Sequence, residues 1–80
     1  MKITPKIKGY KKRISYLNAK ELVELINNSR LNKDERYAVE LIDLYCKPIK
    51  EAADIMQTEE RQVSRWLHKA RLKIMKQMFK

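Results

Sequence analysis

One glycine, Gly9, and two prolines in 80 residues leave no material for a Gly-rich phosphate loop. The single cysteine, Cys46, cannot close an internal disulfide, and with one histidine there is no paired metal-ligand spacing. The inventory is too thin for a catalytic constellation, so no enzyme, metal, cofactor or small-molecule substrate is expected. No apolar run approaches the roughly 18 residues needed to span a bilayer, which excludes a transmembrane helix. Nor does the N-terminus resemble a signal peptide. A reducing cytosol is the expected compartment, and the Asn27-Asn28-Ser29 sequon carries no meaning there.

What the chain does have is positive charge: 19 Lys and Arg against 10 Asp and Glu, net +9. Eighty residues make one domain, and a chain this short buries only about 60% of its unfolded surface. Its mixture of Lys, Glu, Leu and Ile favours an all-α fold. The charge is unevenly placed. Residues 1–13 carry +6, residues 14–57 carry −2, and residues 58–80 carry +5. Uniform solubilising charge would not divide this way, and the pattern points to an anionic partner.

Residues 1–13, with Pro5, Gly9 and no acid, read as a flexible basic arm ahead of a domain at 14–80. Lys8, Lys11, Lys12 and Arg13 either contact nucleic acid or keep a tail solvated; both readings stand. Asn18 with Glu21, and Asn32 with Glu35, are cap-like helix starts. Leu22, Val23, Leu25 and Ile26 form the apolar stripe of a helix near 18–28. Ala38, Leu41, Ile42 and Tyr45, flanked by Tyr37 and Leu44, form that of a second near 33–46. Pro48 disfavours a helical Lys47 and opens a third helix near 48–56. Cys46, at that junction, reads as packed. A fourth helix is expected near 59–78, giving a compact four-helix domain.

The last two helices carry the motif. Ile49, Ala52, Ala53 and Met56 share one face of the first. Val63, Trp66, Leu67 and Ala70 share one of the second, and Gln57-Thr58-Glu59 joins them. Ala53 supplies the small residue that steeply crossing helices need, with Val63 and Trp66 closing over it; Trp66 reads as core. This is helix-turn-helix spacing. Thr58 or Glu59 is placed to cap the second helix, and Gln57 stands where a left-handed glycine is usual. The polar residues of the second helix, Glu60, Arg61, Gln62, Ser64, Arg65 and His68, suit base edges and phosphates, with Arg61, Gln62 and Arg65 placed to reach successive base edges. Phosphate contacts fall to Lys47, Lys50, Thr58, Ser64, His68, Lys69 and Arg71. Ile74, Met75, Met78 and Phe79 exceed what one small core needs. They either cover the first helix and fray at the terminus, or serve a homodimer or polymerase contact.

From Leu31 to Ile74 the chain resembles region 4 of bacterial sigma factors, the helix-turn-helix domain that reads the upstream (minus-35) promoter element. The resemblance is carried by LNKDER, by Glu51-Ala52-Ala53 with Ile55-Met56, by Val63, and by His68-Lys69-Ala70-Arg71 with a Leu/Ile-bearing helix end. It departs from the family at Gln57 where Gly or Asn is usual, at Ala52 where a larger aliphatic is usual, and at Trp66 where a polar residue is common. The resemblance implies that Glu60, Arg61, Gln62 and Arg65 face bases, and that RNA polymerase can be a second partner beside double-stranded DNA. No room remains for a promoter-melting region, so the expectation is a stand-alone transcriptional regulator of phage or mobile-element type. A polymerase-binding or other protein-interaction module, and a small DNA-packaging or recombination accessory protein, are the alternatives.

Overall fold

The computed structural model describes residues 9–78. Among these lie five helices and no strand: α1 (Tyr10–Ile14), α2 (Ala19–Asn28), α3 (Lys33–Val39, continued by a π-helical turn, Glu40–Leu44), α4 (Ile49–Met56) and α5 (Glu60–Met78). Four of the five stand within two residues of the expected bounds.

Both expected caps form as reciprocal pairs. Asn18 Oδ1 accepts the Glu21 N–H at 2.8 Å while Glu21 Oε1 accepts the Asn18 N–H at 2.9 Å. Asn32 and Glu35 repeat this at 2.8 and 3.1 Å. Each satisfies two amides that a helix start otherwise leaves bare, and losing such a cap costs about 1 kcal/mol. Pro48, held at φ −67°, is the N-cap of α4.

The core is organised along α5. Val63, Leu67, Ala70, Ile74 and Met75 are buried, in one cluster with Leu22 and Ile26 of α2, Ala38, Val39 and Leu41 of α3, and Ala52 and Ala53 of α4. Trp66, half-buried, packs against this cluster as expected. The described part of the apolar surplus at the C-terminal end, Ile74, Met75 and Met78, is thereby explained. Ile74 and Met75 are 0% and 1% exposed, so they form no partner surface. Met78 is half-buried against the same core, and Phe79 lies outside the described residues.

The basic arm also needs correcting. Residues 10–14 are helical, and Tyr10 is completely buried. The Arg71 guanidinium stands 5.2 Å from the centre of the Tyr10 ring. It donates to both carboxylate oxygens of Asp43, Nε at 3.1 Å and Nη2 at 2.7 Å. The cation–π contact ties α1 to α5, and the ion pair with Asp43 holds the Arg71 guanidinium in place for it. Burial first, and then the negative charge of Asp43, push the Tyr10 phenol far above its ordinary pKa, so the ring enters the core uncharged. Lys8 lies outside the described residues.

In the second expected helix the stripe changes phase. Val39 is buried while Tyr45 is 64% exposed, because the Tyr45 N–H bonds back five residues to the Glu40 carbonyl (2.9 Å) rather than four. The Lys47 N–H reaches the Leu41 carbonyl at 2.9 Å, and the chain leaves through Cys46 at φ 57°. Cys46 is exposed, not packed.

Glu35 ties α3 to α5. Its carboxylate, nearly fully buried, accepts from Lys73 Nζ at 2.7 Å. Burial on its own raises the pKa, but the Lys73 hydrogen bond, the Asn32 amide and the nearby ammonium charges outweigh it, and the net shift is downward. A folded-state pKa below the unfolded value means that Glu35 contributes stability above the ordinary glutamate range. That contribution is lost as pH falls through the folded value. Denaturant midpoints should therefore fall as pH drops below about 4.5. Glu35→Gln should lower the midpoint at neutral pH and flatten the acid limb; an acid limb unchanged in that variant would assign it to other carboxylates.

Candidate nucleic-acid interface

The motif helices are α4 and α5, and the joint between them rests on one residue. Gln57 adopts the left-handed conformation, φ 56° and ψ 50°. This lets the Thr58 N–H reach the Ala53 carbonyl at 2.9 Å and the Gln57 N–H the Asp54 carbonyl at 3.2 Å, so two of the carbonyls in the last turn of α4 are satisfied. A side chain at this conformation costs about 1 kcal/mol relative to glycine. Glu59 precedes α5, and its carbonyl takes the N–H groups of Gln62 and Val63 at 3.0 and 3.2 Å. The Glu59 and Glu60 carboxylates sit at the end of α5 where the helix dipole favours negative charge.

With Val63, Leu67, Ala70 and Ile74 turned into the core, helical geometry sends Arg61, Arg65 and Lys69 to the opposite side, and all three are exposed. They fall four residues apart, so their side chains rise along the helix by about 6 Å per step. Glu60 and Ser64 are exposed beside them, and Gln62 and His68 are half-buried at the edges of the face. Thr58 is half-buried in the turn. On α4, Lys50 is exposed in the first turn; Lys47, just before the helix, is half-buried and 3.6 Å from Glu51. Lys11, Lys12 and Arg13 are exposed on α1.

Arg71 does not join this face. Its guanidinium is spent on Asp43, and both side chains are largely buried, at 17% and 4% exposure. A basic residue three positions after His68 falls on an exposed phase of an isolated helix, and on that basis a phosphate contact is expected of it. The docking of α1 converts that phase into interior.

Sequence reasoning passes over Arg30, Lys73 and Lys76. Lys73 continues the four-residue spacing of Arg61, Arg65 and Lys69 by one step, a signal present in the sequence. Arg30 follows α2 in the left-handed conformation, φ 54°, which no pattern of charge announces.

No helix among the described residues is long and apolar enough to cross a membrane. Residues 28–74 match the family model described as sigma-70, region 4. No curated protein and no solved structure gives a match.

Proposed function

The chain belongs to the sigma-70 region 4 family, and from that premise we propose that it is a sequence-specific double-stranded-DNA-binding regulator of transcription. In this reading α5 enters the major groove by its first three turns. The observation that carries the proposal is the exposed pair Arg61 and Arg65, one helical turn apart on the face of α5 opposite its buried stripe. Two planar guanidinium forks at that spacing suit guanine N7 and O6 on nearby base pairs, and Gln62 beside them suits adenine. Glu60 can accept from cytosine. Lys50, Thr58, Ser64, His68 and Lys69 flank the face and would hold phosphates, fixing register while carrying no sequence information. Lys11 and Lys12 add charge from α1. The protein would act in the cytosol, where an exposed Cys46 stays a thiol.

A polymerase contact is the second reading. It is favoured by an open apolar cleft of roughly 410 Å³ between α2 and the end of α3, where Val23 meets Leu44 and the exposed Tyr45 ring. Ile74 and Met75 are spent in the core and do not serve it.

The test is selection of bound sites from random duplex DNA, followed by a salt series on the selected and on a random duplex. A single enriched sequence is expected, with log affinity falling against log salt by about 0.9 per phosphate neutralised. No enrichment, or affinity indifferent to salt, would rule out a DNA-reading role.

A further inference from the structure

A second basic feature lies away from the base-reading face, at the far end of α5. There the exit of α2 and the last turns of α5 enclose a cleft of roughly 580 Å³, lined by Asn27, Asn28, Arg30, Lys73, Lys76 and Gln77, with Ser29 at its floor. Three cations and three side-chain amides meet in it, and no acidic residue is among its lining. Lys73 is partly neutralised by Glu35, but Arg30 and Lys76 are exposed and have no acidic partner among the described residues. Asn27 is already oriented: its Oδ1 accepts from Arg36 Nη2, which leaves its NH₂ group as a donor. The negative end of the α2 dipole is also partly covered. The Ser29 hydroxyl donates to the Leu25 carbonyl at 2.6 Å and the Ser29 N–H to the Ile26 carbonyl at 3.2 Å.

We propose that this cleft is a phosphate-binding site, separate from the base-reading face, that takes the phosphate group of a nucleic-acid strand or of a free nucleotide. Separation follows from length. Lys76 lies 11 residues beyond Arg65, about 16 Å along the helix, whereas the major groove is about 12 Å wide. A duplex seated on Arg61 and Arg65 does not also fill the cleft. The ligand class follows from the lining. Two cations with no acidic partner among the described residues, beside several N–H donors, complement an anion with several acceptor oxygens, which is what a phosphate ester presents. Arg30 adds a second argument. It occupies a left-handed helix exit where glycine is easier, so a guanidinium stands at the cleft in place of the residue that the backbone prefers.

That conformation also supplies a variant that should fold well. Arg30→Gly removes the charge while relieving the backbone, and Lys76→Gln exchanges one good helix former for another on an exposed face. The experiment is an amide NMR titration of the full chain with sodium phosphate, with ATP, and with a short random duplex. It compares the wild type, the Arg30→Gly/Lys76→Gln double variant and an Arg61→Ala/Arg65→Ala double variant. ATP is expected to produce saturable shifts at Asn28, Ser29, Arg30, Lys76 and Gln77. The cleft variant should weaken that binding at least tenfold and the reading-face variant should leave it within twofold. The same shifts from random duplex in the reading-face variant would identify nucleic acid as the source of the phosphate. Shifts from ATP or phosphate alone would identify a free ligand. Absence of saturable shifts at these amides with all three probes, or wild-type affinity in the cleft variant, would overturn the proposal. Failure of duplex selection leaves these cleft shifts unaffected, so the two proposals fall separately.

Discussion

Arg65→Ala should lower affinity for the selected duplex by about 5- to 150-fold, the equivalent of losing 1 to 3 kcal/mol from one bidentate base pairing. It should also relax the preference at one or two base pairs. Affinity for random duplex should change far less, since one phosphate-range charge among many is removed. Charge on α1 should behave in the opposite manner. Replacing Lys11 and Lys12 by Gln is expected to weaken selected and random duplexes alike and to lower the salt slope by about 0.9 for each phosphate no longer neutralised. Substitution is the right operation there. Deleting the whole basic segment through Arg13 would remove Tyr10 from the core and confound binding with unfolding. Equal losses on both duplexes for Arg65→Ala, or an altered preferred sequence for the α1 variant, would show that this division between reading and holding is wrong.

Ile74→Ala should cost about 2 to 5 kcal/mol, the range for removing a fully buried aliphatic side chain with incomplete collapse around the void. Set against a total stability of about 5 to 15 kcal/mol, that is a large part of what holds a domain of this size together. The thermal midpoint should fall by more than about 8 °C, at the 4 to 8 °C per kcal/mol of a small domain. The variant also discriminates between two accounts of the C-terminal apolar residues. If they fill the core, Ile74→Ala lowers stability and leaves the sedimenting mass unchanged. If they formed a dimer seam, mass would change while the melting of the dissociated chain would not. The complete burial of Ile74 supports the first account.

Helix positions are legible in the sequence because their determinants are local. Asn18–Glu21 and Asn32–Glu35 announce helix starts within four residues, and Pro48 marks a boundary with its own ring. The motif is legible for a related reason: Ala53, Val63 and Leu67 recur at a spacing that suits two crossing helices. The misjudged residues depend on distant partners. Tyr10 reads as tail until Arg71 and Asp43 arrive from 61 and 33 positions along the chain. Arg71 reads as a DNA contact for the same reason. Ile74 and Met75 look surplus only while α1 and α2 are counted as small contributors to the core. Tyr45 and Cys46 are misplaced because a single five-residue turn shifts the phase that periodicity assumes constant. The outward face of α5 is legible in kind, since Arg61 and Arg65 are fixed by the stripe behind them. The cleft at Arg30 is not, because its lining comes from two segments more than 40 residues apart.

The π-helical turn at Glu40–Leu44 has a consequence for how this chain can vary in length. A π-helical turn carries one residue more than an α-helical turn spanning the same rise, so deleting one residue there restores ordinary helix and leaves the flanking segments where they were. An equal deletion within α5 would swing every later side chain about 100° around the axis and carry Leu67, Ala70 and Ile74 out of the interior. Gaps in related sequences should therefore collect at positions 40–44, and chains whose gap falls on Asp43 should lose the carboxylate that meets Arg71 while keeping the helix-turn-helix in register. In those chains the residue equivalent to Arg71 would be released from its internal partner, and its guanidinium would be left for an anion.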